Sequence, residues 1–323
     1  MKLITYPINP KNPAALIPVL LGLFWANKIE GCELIVFRDI HEIPKKIPGF
    51  DVETWIKGKY DPKFILTTHN SVNPVVLSFS RTIRISRIEG KWLRCPCGKV
   101  EIFSENNIKL FGYNKIKMID EYNKCVACGE VVSILEGVGL IAECSLNNEA
   151  IKSILFPSII TKEIQSWLSK LPETPIMLTR SRDTGYKIKW ESQEYYLDPT
   201  IYNLYVTWDY CQKHKDSYIV SGRDTVLFYS MCRLLFGFDV NHIFLPKINI
   251  ENWNLFVNLN FEEAVLLLIS SLNWKNNQAI VSFSDLQFIR RNLLLLVDKM
   301  EKLSINDVPE ISKINRNFLN LRQ

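Results

Sequence analysis

The chain opens on a short β-rich run, Lys2–Tyr6, and then enters Pro7–Pro13, a stretch whose prolines exclude a helix. Ala14–Lys28 is apolar enough for a buried helix, and Glu33–Phe37 supplies a second apolar run, so the first forty residues predict a β-α-β unit. A parallel sheet takes its ligands at the carboxyl ends of its strands, which directs attention to Pro7–Pro13 and Arg38–Glu42. Farther along, the alternation Thr82-Ile83-Arg84-Ile85 within Val75–Glu89 predicts strand. Ile164–Leu171 reads as helix and ends at Pro172–Pro175, with strands and turns following to about Tyr196. Tyr218-Ile219-Val220 predicts a strand ending at Ser221-Gly222, and Asp224–Phe236 an apolar helix. Helical patterns over Glu262–Ser271, Ser284–Glu301 and Asp307–Leu321 close the chain. The fold class expected is α/β, with a parallel sheet split by an insertion and a short α-helical C-terminal region.

Composition narrows the picture only a little. With 323 residues, 47% hydrophobic and 23% charged, the chain has the balance of a globular protein with one large core or two ordinary ones. A net charge of +5 without a block of Lys or Arg admits an RNA partner but does not require one. The apolar stretch Ala14–Ala26 is too short to span a bilayer and contains Pro18, so no membrane partner is expected.

Cysteine changes the picture more. Cys95-Pro96-Cys97-Gly98 and Cys125-Val126-Ala127-Cys128-Gly129 are two close pairs, and two pairs complete the four-thiolate shell of a structural zinc site. The expected ligands are Cys95, Cys97, Cys125 and Cys128; the single residue between the first two makes Cys97 the weakest, with Cys144 in reserve. Cys32, Cys144, Cys211 and Cys232 lie in or beside apolar runs and read as core residues. Free thiols beside a zinc site point to a reducing, cytoplasmic setting.

Three polar turns could carry chemistry. Ser221-Gly222-Arg223-Asp224 lies where a strand becomes a helix; Asp224 either caps that helix or binds a ribose hydroxyl or an ammonium group. Arg182 and Asp183 form either a solvated ion pair or a charged pair facing a cleft. In Arg38-Asp39-Ile40-His41-Glu42, Asp39 reads better as a partner for an amino group than as a metal ligand. Tyr195, Tyr196, Tyr202, Tyr205 and Trp208 either line a pocket or pack a core. Neither a Walker-type loop nor a Gly-X-Gly-X-X-Gly run is present.

Taken in order, these pieces resemble the class I aminoacyl-tRNA synthetases, and the methionyl enzymes most closely. The resemblance rests on Tyr6-Pro7-Ile8-Asn9, Asp39-Ile40-His41, the cysteine pairs, Ser181-Arg182-Asp183, Tyr195-Tyr196-Leu197-Asp198-Pro199, Gly222-Arg223-Asp224 running on to Tyr229, and Phe283-Ser284-Asp285-Leu286 near the end. It implies a Rossmann-like catalytic core divided as 1–88 and 147–250, a zinc-binding insertion at 89–146 and a helical region at 251–323. It also implies a ligand site drawn from Asn9, Asp39, His41, Arg182, Tyr196, Asp198, Gly222, Asp224 and Tyr229.

The departures matter as much. The family's His-Leu-Gly-His slot falls on Pro13-Ala14-Ala15-Leu16, and its Lys-Met-Ser-Lys-Ser loop on 252–261, a stretch without lysine. Cations aimed at the pentavalent phosphate supply much of the rate of adenylation, so ordinary ATP-dependent activation is not expected. The resemblance then implies a paralogue, a pseudoenzyme that binds an amino acid, a nucleotide-like ligand or an aminoacyl-tRNA end. Its rivals are an adenylate-forming or aminoacyl-transfer enzyme of a specialised pathway, with Lys11 or Lys247 as substitute cations, and a scaffold that recruits protein or tRNA.

Overall fold

A computed structural model describes residues 1–38, 49–59, 65–68, 79–80, 83–95, 101–104, 124–125, 128–145, 150–170, 175–180, 186–272 and 278–298. Strand β1 (Lys2–Ile8) runs two residues past its predicted end, so the turn begins at Asn9. The reason is local: the register against the next strand shifts between Thr5 and Ile8, and Pro7 sits in that irregularity, where a residue without an N–H is tolerated. Helix α1 (Leu16–Lys28), β2 (Glu33–Arg38), α2 (Val52–Lys59) and β3 (Ile65–Thr68) complete the first part of the sheet.

Next come β4 (Ile83–Arg94), β5 (Glu101–Ser104) and β6 (Ser133–Cys144). Strands β4 and β6 pair antiparallel along their whole length, from Ile83↔Cys144 to Arg94↔Ser133. Cys144 therefore lies at the opposite end of this ribbon from Cys95, which corrects its standing as a reserve ligand.

The chain then builds β7 (Leu155–Phe156), α3 (Ile160–Lys170), β8 (Ile176–Met177), β9 (Thr179–Arg180), β10 (Lys187–Trp190) and β11 (Gln193–Leu197). Helix α4 (Pro199–Lys213), β12 (Ser217–Gly222), α5 (Val226–Phe236) and β13 (Asn241–Leu245) follow. The C-terminal part holds β14 (Lys247–Ile250), α6 (Trp253–Val257), α7 (Phe261–Ser271), β15 (Gln278–Val281) and α8 (Leu286–Asp298). It is thus helical with a two-stranded parallel sheet, β14–β15, set into it. The helix expected over Asp307–Leu321 lies outside the described residues.

The main sheet has the order β3-β2-β1-β12-β13-β7, and every pairing in it is parallel. Side chains alternate across it, so Leu3, Val36, Val220 and Ile243 meet α1 and α7 on one face, while Ile4, Ile35, Ile219 and Phe244 meet α3, α4 and α5 on the other. Helix α1 is apolar nearly all round because it is enclosed between the sheet and α7. Its approach is close enough that a Cβ on Gly22 would lie 2.7 Å from a methyl of Leu34.

Candidate functional site

Strand order reverses direction between β1 and β12, whose outward connections leave to opposite sides, and a parallel sheet of this order takes its ligands in the crevice at those carboxyl ends. The β1 wall is a hydrogen-bonded turn, tied to α2 where the Pro10 carbonyl accepts from Val52 N–H at 2.9 Å. Asn9 Oδ1 accepts from the Lys11 N–H at 3.0 Å, the Asn9 carbonyl accepts from Asn12, and the Asn12 carbonyl accepts from Ala15. Asn12 Oδ1 accepts from Ala14 N–H as the N-cap of a 3₁₀ turn, Pro13–Ala15, that leads into α1. The opposite wall is Gly222 with a second 3₁₀ turn, Arg223–Thr225. Arg223 is tied across to Glu163 on α3 at 2.7 Å. Residues 252–261, where the resemblance implied a lysine loop, form α6 and the capping box Asn260/Glu263 of α7, with Phe256, Leu259 and Phe261 buried.

The residues named from sequence occupy unequal positions. Asn9 follows the last residue of β1 and Gly222 is the last residue of β12, so both lie at the carboxyl ends of these paired strands. Tyr196 is half-buried on β11, with the Lys187 ammonium 5.3 Å from its ring centroid. Asp198 is buried and engaged twice: it caps α4 through the Thr200 N–H at 2.7 Å and grips Arg180 at 2.7 and 3.3 Å. Tyr229 is fully buried on α5, and its hydroxyl donates to Asp239 at 2.9 Å while lying 2.6 Å from Ser153 Oγ. Burial, then the Asp239 charge, raise the Tyr229 phenol above its ordinary range. Asp239 moves the other way: burial opposes ionisation, but hydrogen bonds from Ser153, Lys152, Arg233 and Tyr229 outweigh it and hold the carboxyl below its usual value. Asp39, His41, Arg182 and Cys97 lie outside the described residues, as does the Asp224 side chain.

One group near the crevice escaped the sequence reading. His242 on β13 is fully buried, with Nε2 2.6 Å from Ser221 Oγ at the end of β12. Ser221 Oγ also contacts Thr225 Oγ1, and Thr225 donates to the Gly222 carbonyl at 2.7 Å. Because a carbonyl only accepts, the chain has one direction: His242 Nε2–H to Ser221, Ser221 to Thr225, Thr225 to Gly222. His242 Nδ1 has no partner among the described residues. The imidazole stacks on Phe244 at 3.9 Å, and burial holds its pKa well below the ordinary value. The only local signal was a histidine in the apolar run Val240–Leu245.

At the far end of the β4–β6 ribbon, the sulfurs of Cys95, Cys125 and Cys128 lie within 4.8 Å of one another. Cys125 and Gly129 close the turn: the Cys125 carbonyl accepts from Gly129 N–H at 2.7 Å, with Gly129 at φ +75. Three converging soft donors on a tight turn fit a metal ion that favours thiolate.

Against solved structures, the chain is similar to Mycobacterium tuberculosis methionyl-tRNA synthetase in complex with methionyl-adenylate, at 13% identity and a TM-score of 0.58, covering 90% of this chain and 67% of that one. A second structure of that enzyme bound by methionyl-adenylate gives 12% identity and 0.55 over 90% of this chain and 68% of that one. The fold is that of methionyl-tRNA synthetases. The apo form of the same enzyme agrees, at 12% identity and 0.55, covering 91% of this chain and 66% of that one. The chain thus spans about two thirds of these synthetases. No protein-family profile and no curated protein matches the sequence. Among the described residues, no helix is long and apolar enough to cross a membrane.

Proposed function

We propose that this chain is a methionyl-tRNA-synthetase-like protein whose crevice binds an amino acid, a nucleotide-like ligand or an aminoacyl-tRNA end without ATP-driven charging. The observation that carries this is the self-satisfaction of the places where phosphate would be held. The α1 entry is capped by Asn12, Arg223 is committed to Glu163, and 252–261 is taken up by α6 and the capped start of α7. Among the described residues, the Asn12 cap and the Arg223 guanidinium are thus engaged within the protein rather than held open for a developing phosphate charge. Asn9, Tyr196 and Gly222, with Asp39, His41, Arg182 and Asp224, are the proposed contacts; Asp198 and Tyr229 hold the walls through Arg180 and Asp239. Core halves at 1–88 and 147–250, a zinc-binding insertion at 89–146 and a helical region at 251–323 complete the reading. Cys95, Cys125 and Cys128, with Cys97 as fourth ligand, would hold a structural zinc; when bound, the ion supplies a cross-link that fixes the turn.

Calorimetry with methionine, with ATP and with a non-hydrolysable methionyl-adenylate analogue tests the binding. Heat from methionine or the analogue but not from ATP is expected, and silence from all three overturns the ligand reading. A second reading, a scaffold that recruits protein or tRNA, is favoured by one observation: Trp208, Tyr229, His242 and Phe244 fill the face beneath the crevice with fully buried rings. Silence in calorimetry with co-purifying RNA or protein would select it.

A further inference from the structure

The cysteine cluster has an asymmetry that metal binding alone does not use. Cys95 is 1% exposed and directly follows β4, whereas Cys128 is exposed on the turn that follows Cys125. Their sulfurs are 3.3 Å apart, the approach from which a disulfide closes with little backbone movement. Cys125 is as buried as Cys95, and its backbone is fixed by bonds to Glu130, Cys128 and Gly129. An oxidant arriving from solvent therefore meets Cys128 first, with a buried thiol in contact behind it.

We propose that Cys128 is a site of reversible oxidation by small peroxides, with Cys95 as the resolving thiol, so that the ribbon end is clasped by metal in one state and by a Cys95–Cys128 disulfide in the other. The Cys128 thiolate attacks one peroxide oxygen, forming a sulfenic acid and releasing water once the leaving oxygen is protonated. Cys95 sulfur then attacks the Cys128 sulfur, the S–S bond forms, and the sulfenic oxygen leaves as a second water. Two thiols are oxidised by two electrons, one peroxide is reduced to two waters, and an ion held by both sulfurs loses two ligands and dissociates.

The remaining described cysteines do not compete. Burial pushes the thiols of Cys32 to about 11 and Cys144 to about 12, and raises those of Cys211 and Cys232 as well, so each stays protonated at neutral pH. The inference rests on sulfur positions and exposure, not on what the crevice binds, and it holds for any thiolate-seeking ion.

The test uses the full chain loaded with zinc, and in parallel the chelated chain, treated at pH 7.4 with hydrogen peroxide from one to ten equivalents. Free thiols are then alkylated, and non-reduced peptides are mapped by mass spectrometry while a chromophoric chelator reports released zinc. The expected result is a dominant Cys95–Cys128 cross-link in both samples, one zinc released per disulfide, and full reversal by dithiothreitol. Cys125→Ser should keep the cross-link and Cys128→Ser should abolish it. The wild-type map decides even if a variant misfolds. A dominant cross-link through Cys97 or Cys125, sulfinic acid at Cys128 beside reduced Cys95, or intact thiols at ten equivalents would each overturn the proposal.

Discussion

The two faces of the parallel sheet are built by different rules. On the face covered by α1 and α7, burial is carried mainly by aliphatic and aromatic side chains; the polar exceptions are Thr5 on β1 and Glu263, which serves the capping box of α7. On the face covered by α3, α4 and α5, the protein also buries Asp198, Ser221, Thr225, Arg233 and His242, most of them hydrogen-bonded to one another or to backbone. Apolar packing gives stability without directional demands, while a buried polar network costs desolvation and returns a fixed geometry. The difference teaches that the second face is the one on which structure is held in place for the crevice above it.

The comparison can be broken most severely at Arg233. Its guanidinium is almost fully buried and pairs with Asp239 at 2.8 Å, so Arg233→Met removes the cation from a carboxylate left with its bonds from Ser153, Lys152 and Tyr229, and should cost about 3–5 kcal/mol in urea unfolding. The control is Lys213→Met in the exposed pair with Asp209, where the loss should stay below about 0.5 kcal/mol. On the apolar face, Leu267→Ala removes a fully buried side chain and should cost about 2–5 kcal/mol, without any dependence on pH.

Acid separates the faces further. The folded pKa of His242 lies below that of the unfolded chain, so between the unfolded value and the folded one the unfolded state binds more protons and stability falls as pH falls. Unfolding free energy followed downward from about pH 6.5 should therefore decline by up to about 1.4 kcal/mol per pH unit. His242→Phe should flatten that slope, and an unchanged slope would remove His242 as its cause. A more modest effect is expected at the crevice wall, where Asn12→Ala deletes one cap and should lower stability by about 1 kcal/mol.

How much of this was legible in the sequence depended on range. β1, α1 and β2 could be read because their apolar runs are long and are separated by proline and glycine, and α7 because Asn260 and Glu263 announce its start. The cysteine cluster could be read although Cys95 and Cys128 are far apart in sequence, since the pair spacing itself encodes the geometry. Helix α4 was hidden: the dense tyrosines and tryptophan of Pro199–Lys213 are good strand formers, and the helix is set by packing and by the Asp198 cap. The β10–β11 hairpin falls within the strands and turns expected to about Tyr196, but the position of its turn was not marked, because Glu191 and Ser192, rather than Asn or Gly, take positive φ there. The His242–Ser221 pair joins neighbouring strands through side chains alone, and no local pattern marks such a contact.

The proposed loss of ATP-driven activation rests on a methionyl-tRNA-synthetase fold in which, among the described residues, Asn12 and Arg223 are engaged within the protein. Amino-acid-dependent ATP–pyrophosphate exchange, run with each of the twenty amino acids on the zinc-loaded full chain, tests it most directly. The account predicts no exchange above background with any of them, and steady exchange with even one amino acid would contradict it.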